Sequence, residues 1–231
     1  MQVELIAYSQ PFGGDCEALQ NPMDVVEQCA SVCYDSEPDL IDHKIAKGCA
    51  KAGHMSVYEH AYFTFHVQEI SRACLAQLTR HRHFSFSVRS QRYCNESNAG
   101  AVVPDNLSDE QREILMQTYS EEFDKYQVLS AAGVKKEDAR MVLPNGCETE
   151  LYVSMNARAL IEASHLRLCS RAQEEIRALF YGMKTCISSI SPEIAKMMVP
   201  QCEVNPSYPF CTEHKSCGRH KTLKEVYKSD V

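Results

Sequence analysis

The sequence has little of what marks a membrane or an exported protein. Its 231 residues contain no run of 18 apolar residues, so we expect no membrane-spanning helix. Residues 1–15 have neither a basic flank nor an apolar core, so we expect no secretory signal and a cytoplasmic location. The sequence also lacks a glycine-rich dinucleotide fingerprint, which argues against an ordinary Rossmann site.

The composition is that of a globular protein rather than of a nucleic-acid binder. The hydrophobic content is 44%, and the formal charge is −7, from 24 Lys+Arg against 31 Asp+Glu. We expect one globular domain with a hydrophobic core and a loop-rich, Cys/His-containing tail over residues 201–231. The 12 cysteines are scattered from Cys16 to Cys217, and without an export signal we expect most of them to be reduced.

Residues 70–95, here called the arginine stretch, contain no acidic residue. The five arginines of the stretch are Arg72, Arg80, Arg82, Arg89 and Arg92. The stretch carries +5 in a chain of −7, so the remainder carries −12. Crowded arginines repel one another unless an anion compensates them, and arginine favours bidentate binding of phosphate or carboxylate. The stretch is therefore predicted to bind an anion, although a basic helix end that complements the helix dipole gives the same pattern.

Periodicity and boundary residues predict the regular elements. Strands are expected over residues 3–7 and 61–69, and an extended segment over residues 84–88. Helices are expected over residues 23–34, 36–53, 71–81, 108–132, 135–143 and 156–187, and after Ser191. Asn21-Pro22 is a cap-then-proline start for the first of them. Residues 149–155 fit a strand or the start of a helix. Because Arg80 and Arg82 are two apart, they converge on one ligand only if their helix ends near His81.

One resemblance rests on the arginine stretch. Arg80-His81-Arg82, then seven residues, then Ser90-Gln91-Arg92-Tyr93, resembles the signature of flavin-dependent thymidylate synthases. The similarity covers about residues 1–200 and so implies a catalytic domain over residues 1–200. Further landmarks of that family follow in the same order: Leu143-Pro144-Asn145, Asn156-Ala157-Arg158, Leu166-Arg167 and Arg171-Ala172-Gln173.

The resemblance implies a fold and a reaction. It implies an α+β domain with a mixed or antiparallel sheet and long helices, assembled as a homotetramer with active sites shared between subunits. It implies methylation of dUMP to dTMP, with methylenetetrahydrofolate as carbon donor and FAD, reduced by the nicotinamide nucleotide NAD(P)H, as hydride carrier. No cysteine nucleophile is implied. Nucleic acid and membrane are not expected as partners.

The resemblance also implies roles for single residues. Arg80, His81, Arg82, Asn156, Arg158, His54 and Ser56 would contact FAD. Gln77, Arg80, Ser90, Gln91 and Arg92 would bind dUMP, the last three from a neighbouring subunit. Arg167 would face the uracil edge, where a fixed cation can stabilise negative charge as C5 becomes nucleophilic.

Three positions depart from the family pattern. Val88 stands where a carboxylate or amide is common, Glu150 where a basic residue is common, and Glu162 where an amide is common. Val88 and Glu150 motivate an alternative hypothesis, a related flavin-dependent modification of the pyrimidine such as hydroxymethylation of dUMP. A nucleic-acid-binding protein with a zinc tail is an alternative of another class, because Phe84, Phe86 and Tyr93 interleave with the arginines.

The histidines and cysteines raise the question of a metal. No cysteine or carboxylate completes a metal spacing around His54 and His60, so we expect none there. In the tail, Cys202 precedes a Cys211-x2-His214-x2-Cys217-x2-His220 pattern that is close to zinc-ligand spacing. The spacing is tighter than in common zinc fingers, so a reduced or disulfide-bonded tail is the favoured interpretation.

Overall fold

The computed structural model describes residues 1–11 and 21–228. A four-stranded sheet has the order β1-β2-β4-β3. Its strands are β1 (Gln2–Tyr8), β2 (Tyr62–Ser71), β3 (Ser85–Val88) and β4 (Glu148–Asn156). The α-helices of the described residues are α1 (Pro22–Val32), α2 (Lys44–Lys51), α3 (Arg72–Leu78), α4 (Asp109–Ala131), α5 (Lys136–Ala139), α6 (Ala157–Arg167), α7 (Glu174–Ile190), α8 (Pro192–Met197) and α9 (Leu223–Lys228). The α+β fold is therefore confirmed.

Alternation of apolar and polar residues explains the two longer central strands. Phe63, Phe65 and Val67 of β2 are fully buried, and their neighbours along the strand are more exposed. In β4, Leu151 and Val153 are buried in the same alternating way. Successive side chains of a strand point to opposite faces, so one face of each strand belongs to the core. The ambiguous segment 149–155 is thus a strand.

The chain divides into two compact units, and the division crosses each of the four strands. The first unit comprises Met1–Val3, His66–Arg82 and Phe86–Val153. The second unit comprises Glu4–Phe65, His83–Ser85 and Ser154–Val231. The predicted boundary near residue 200 stays a prediction.

Helix α4 dominates the first unit, and its ends are as predicted. Ser108 Oγ accepts the N–H of Gln111 at 3.2 Å, and Gln111 Oε1 accepts the N–H of Ser108 at 3.0 Å, which forms a capping box. The helix stops before Gly133, whose φ of +81° suits glycine. Tyr126 is the buried residue of α4, and its hydroxyl accepts the N–H of Glu96 at 3.3 Å.

Helix α2 in the second unit is shorter than predicted. The helix expected over residues 36–53 begins only at Lys44, after His43 with a left-handed φ of +50°. The cause is a turn at Asp39, whose carboxylate accepts the N–H of Asp42 at 3.0 Å. The buried Glu27 carboxylate of α1 accepts the N–H of Asp39 at 3.1 Å and holds this turn in place.

The helix expected over residues 156–187 is two helices, α6 and α7. Helix α6 ends at Arg167, and α7 begins at Glu174. Arg177 Nη1 donates to the carbonyl oxygens of Ser170 at 3.0 Å and Ala172 at 3.4 Å. These bonds satisfy carbonyls of the connecting loop, so a guanidinium from the next helix stabilises the break.

Two further observations concern sequence features raised above. None of the helices seen in the described residues combines the length and hydropathy that crossing a membrane requires. The cysteines in the described part of the chain are all free thiols. Cys16 lies outside the described residues.

Candidate functional site

The arginine stretch begins with a short, well-capped helix. Ser71 Oγ accepts the N–H of Cys74 at 2.9 Å, as expected for an N-cap. Helix α3 ends at Leu78, so Arg80 and Arg82 lie in the turns that follow it. The predicted helix end near His81 is therefore correct, and these arginines are not forced to opposite sides of a helix.

Three of the five arginines form hydrogen bonds or ion pairs within the chain. Arg72 Nη2 donates to the carbonyl oxygen of Arg89 at 2.9 Å. Arg89 Nε lies 3.3 Å from the buried Glu96 carboxylate. Arg92 Nε lies 2.6 Å from Glu137 Oε2. Acidic residues from outside the stretch thus compensate part of its charge, which the pattern alone did not predict.

Arg80 and Arg82 differ from the other arginines of the stretch. Both side chains are exposed, and neither has an acidic partner within the described residues. Because neither guanidinium is paired with a carboxylate of the described residues, the N–H donors of both can bind a ligand. An incoming phosphate or carboxylate is the partner that such donors favour.

Three other residues predicted to bind the nucleotide already have hydrogen bonds within this unit. Gln77 Nε2 donates to the carbonyl oxygen of Ala73 at 3.4 Å within α3. Ser90 Oγ accepts the N–H of Arg92 at 3.3 Å. Gln91 Nε2 donates to the sulfur of Cys147 at 3.7 Å. Burial raises the pKa of the Cys147 thiol to about 11, so this sulfur is a protonated, structural neighbour of Gln91.

The unusual Glu150 has partners in the same unit. Its Oε1 lies 2.6 Å from His66 Nε2 and accepts from Gln68 Nε2 at 3.3 Å. The His66 ring stacks on Tyr152 with centroids 4.5 Å apart. The acidic residue at this position is therefore hydrogen-bonded to a neighbouring imidazole and a neighbouring amide. Val88 is a half-buried residue of β3.

Asn156 in the second unit caps helix α6. Its Oδ1 accepts the N–H of Ala159 at 2.8 Å, while the N–H of Ala157 donates to the carbonyl oxygen of Ala61 at 2.8 Å. These two bonds fix the junction between β4 and α6. The amide nitrogen of Asn156 keeps its two hydrogens for other partners.

Arg158 is held between two carboxylates. Its Nη1 lies 2.7 Å from Glu59 Oε1, and its Nε lies 2.7 Å from Glu162 Oε1. The hydrogen bond to Glu162, followed by that to Glu59, raises the pKa of the Arg158 guanidinium. Glu162, which departs from the family pattern, is thus the i,i+4 ion-pair partner of Arg158. Its second partner, Glu59, was not predicted from the sequence.

The remaining candidates lie at helix ends of the second unit. His54 and Ser56 are exposed at the start of a 3-10 helix, Met55–His60, that follows Gly53. Arg167 is half-buried in the last turn of α6. Asn156 and Arg167 therefore occupy opposite ends of one helix.

One cluster of metal-ligating side chains occurs in the described part of the tail. Ligand atoms of Cys202, Glu203 and His220 all lie within 4.8 Å of one another. Of the pattern Cys211-x2-His214-x2-Cys217-x2-His220, only His220 belongs to this cluster. Glu203 had no place in that pattern.

Comparisons with known proteins identify the family of the chain. The family described as thymidylate synthase complementing protein matches residues 16–193. The flavin-dependent thymidylate synthase of Saccharolobus solfataricus is 36% identical over 197 residues, which span 83% of this chain and 74% of the relative. The flavin-dependent thymidylate synthase of Geobacter sulfurreducens is 38% identical over 222 residues, which span 90% of this chain and 94% of the relative.

Solved structures show the same fold. A flavin-dependent thymidylate synthase from Helicobacter pylori, complexed with FAD and dUMP, matches with a TM-score of 0.69 at 22% identity, covering 86% of this chain and 100% of that chain. A UMP/dUMP methylase from Streptomyces cacaoi, bound with 5-Br dUMP, matches with a TM-score of 0.70 at 24% identity, covering 90% and 95%. The family resemblance seen in the sequence is confirmed. The chain belongs to the flavin-dependent thymidylate synthase family.

Proposed function

We propose that this chain methylates dUMP to dTMP, with methylenetetrahydrofolate as carbon donor and FAD, reduced by NAD(P)H, as hydride carrier. The observation that carries the proposal is the family match over residues 16–193, which includes the whole arginine stretch. The alternatives are not favoured. Glu150, which motivated hydroxymethylation, is bonded to His66 and Gln68 instead of being an unmatched acid.

The donor set fits FAD. Its pyrophosphate carries two negative charges, and Arg80 and Arg82 offer guanidinium groups without an acidic partner within the described residues. His81, between them, would contact the same cofactor. When bound, the flavin supplies the hydride chemistry that no amino-acid side chain provides. The task of the protein is to bind and orient it.

Four other residues, Asn156, Arg158, His54 and Ser56, are also assigned to FAD. Asn156 offers its amide N–H groups, because its oxygen is committed to capping α6. Arg158 would exchange Glu59 or Glu162 for a ligand oxygen. His54 and Ser56 are exposed and supply an imidazole and a hydroxyl.

The nucleotide dUMP would be bound by Gln77, Arg80, Ser90, Gln91 and Arg92. Arg92 would exchange Glu137 for the phosphate, and both side chains are accessible enough for that exchange. Gln91 and Ser90 would keep their internal bonds and present their remaining donors. A neighbouring subunit would supply Ser90, Gln91 and Arg92.

Arg167 is the proposed catalytic residue. At the end of α6 its guanidinium would face the uracil edge and stabilise the negative charge that develops as C5 attacks the one-carbon unit. Its half-buried position supports this role, because a charge interaction is stronger where water is partly excluded.

A homotetramer with shared active sites is part of the proposal. Helix α4 supports it, because Ile114 and Val128 lie on the same side of the helix and are 60% and 68% exposed. Large apolar residues left open on one long helix are typical of a surface that another chain covers. Native mass spectrometry should give the mass of four chains, and a monomer at micromolar concentration would contradict this part of the proposal.

Three measurements on the purified protein test the activity. The visible spectrum should show bound flavin, which NADPH should bleach. Addition of dUMP and methylenetetrahydrofolate should then give a nucleotide with the mass of dTMP. A hydroxymethylated nucleotide as the only product would favour the alternative reaction.

A matched pair of variants tests the site. Arg80→Gln should weaken the binding of both FAD and dUMP, because this guanidinium is assigned to both. Arg112→Gln is the control, since Arg112 is a helical arginine of the same unit that donates to the carbonyl oxygen of Pro104. Equal binding by the two variants would contradict the assignment of Arg80.

A further inference from the structure

We propose that the tail binds one zinc ion through Cys202, Glu203 and His220, with a neighbouring thiol as the fourth ligand. Their ligand atoms lie within 4.8 Å of one another, which small side-chain movements reduce to a common coordination sphere. His220 Nε2 already lies 3.4 Å from Glu203 Oε1. None of these three side chains is among the residues assigned above to FAD or dUMP.

The ligand types select the metal. A thiolate, an imidazole and a carboxylate together form a borderline-soft set that suits zinc. Magnesium and calcium take oxygen ligands, so a site with sulfur and nitrogen disfavours them. Cys202 and Glu203 lie in one 3-10 helix, Gln201–Glu203, and His220 comes from a distant loop. A metal would therefore join two segments that secondary structure does not connect.

Thiols for the fourth position line the same cavity. This cavity of about 200 Å³ is lined by Cys169, Cys202, Cys211, Cys217 and His220, among others. Cys169 is close enough to Cys202 to interact with it electrostatically. The N–H of Cys211 donates to the carbonyl oxygen of Lys221 at 2.9 Å, which keeps that thiol beside the His220 segment. His214 is not among the lining residues.

The charge of the site is balanced by a nearby cation. Zinc with two thiolates, one carboxylate and one neutral imidazole carries a net charge of −1. Arg219 Nη1 lies 3.5 Å from Glu203 Oε1, where its guanidinium offsets that charge and orients the carboxylate. Outer partners of this kind orient metal ligands.

The tail needs such a link because burial alone holds it weakly. Between residues 204 and 227, only Cys211 and Thr222 are buried. A small apolar contribution of this kind seldom offsets the cost of ordering a loop-rich segment, and short segments of this type are often held by a metal or by disulfides. The proposed zinc would supply that stabilisation.

The zinc content of the full-length protein tests the proposal without substrate or flavin. Protein from zinc-supplemented medium, purified without chelator and gel-filtered in metal-free buffer, should retain about one zinc per chain by plasma mass spectrometry. Replacement by cobalt should give thiolate-to-metal absorption bands. A flavin-free preparation should hold the same zinc, so failure here is distinct from failure of the proposed activity.

Two pairs of variants assign the ligands. Cys202→Ser and His220→Gln should each weaken zinc binding at least about 100-fold in competition with a chromophoric chelator, since loss of an outer partner alone costs about 10–100-fold. Cys33→Ser, an exposed thiol outside the cavity, and His214→Gln should bind zinc like the wild type. Far-ultraviolet circular dichroism establishes that each variant is folded.

The outcomes are distinct. Retained zinc that is lost in Cys202→Ser and His220→Gln alone supports the proposed site. Less than about a tenth of an equivalent in the wild type, with or without a disulfide in the tail, overturns it. Loss of zinc in His214→Gln but not in Cys202→Ser also overturns it, because the ligands would then follow the Cys-x2-His spacing.

Discussion

Release of Arg158 from its carboxylates should tighten FAD binding. Arg158 contacts Glu162 and Glu59, each at 2.7 Å, and the proposed FAD contact requires at least one of these pairs to open. Both pairs are half-exposed, so each contributes about 0.2–1 kcal/mol. Glu162→Gln should therefore lower the FAD dissociation constant about 1.5- to 5-fold. The double variant Glu59→Gln/Glu162→Gln should reach at most roughly 30-fold, at 1.4 kcal/mol per tenfold change.

Quenching of flavin fluorescence on binding to apoprotein measures these constants at fixed ionic strength. Removal of any carboxylate favours an anionic ligand through the long-range field, so the control must remove the same charge elsewhere. Glu113→Gln on α4 does so at an exposed position. The gain attributed to Arg158 is the difference between Glu162→Gln and Glu113→Gln.

A double-mutant cycle decides whether Arg158 is the contact. In an Arg158→Gln background, Glu162→Gln has no guanidinium to release, so its specific gain should vanish. A gain of equal size in both backgrounds would refute the reasoning. A gain no larger than that of Glu113→Gln would refute it as well.

Three further outcomes are expected from other parts of the chain. Glu27→Gln should lower the free energy of unfolding by about 2–5 kcal/mol in urea denaturation, because an amide would present N–H groups to the N–H of Ala46, now 2.7 Å from the buried carboxylate. Arg167→Gln should lower kcat about 100- to 1000-fold with a smaller change in KM. Since the folded-state pKa of Cys147 is raised to about 11 from an ordinary 9.0, the unfolded chain loses this proton first, and stability should fall between about pH 9 and 11 by up to roughly 3 kcal/mol.

Each of these has its own control. Glu37→Gln, at an exposed position, should leave the unfolding free energy within about 0.5 kcal/mol of wild type. Arg167→Lys keeps a cation and should recover part of kcat, and no recovery would favour a merely structural role. Cys147→Ala should flatten the alkaline loss of stability, and an unchanged slope would show that other groups cause it.

Helix starts were predictable because their causes are local. Asn21, Ser71 and Ser108 were each expected at a helix N-terminus, and each accepts a backbone N–H within the next three residues. The side chain and its partner lie close together in sequence, so the pattern contains the whole interaction. The same reasoning predicted Asn156 before α6.

Helix interruptions were missed because their causes are distant in sequence. The turn before α2 depends on Glu27, which reaches Asp39 from another helix. The break before α7 depends on Arg177, which bonds to carbonyls upstream of its own helix. Helix propensity takes no account of either contact, so the prediction made both helices longer than they are.

The site shows the same division between pattern and packing. The spacing from Arg80 to Arg92 was sufficient to identify the family. It did not indicate that Glu137 would pair with Arg92, or that Cys202 and His220 would meet at Glu203. Such pairings arise when loops fold back, and one sequence contains no record of which loops meet.

The cap at Asn156 has a consequence for ligand polarity. Its carbonyl side is directed into the first turn of α6, so only the hydrogen-bearing side of the amide faces outward. Under the proposed FAD contact, the ligand must therefore present a lone pair to Asn156, such as a ring carbonyl or a phosphate oxygen, and a hydrogen presented at that point is disfavoured. Aspartate at this position would still cap the helix, but it would repel the same molecule.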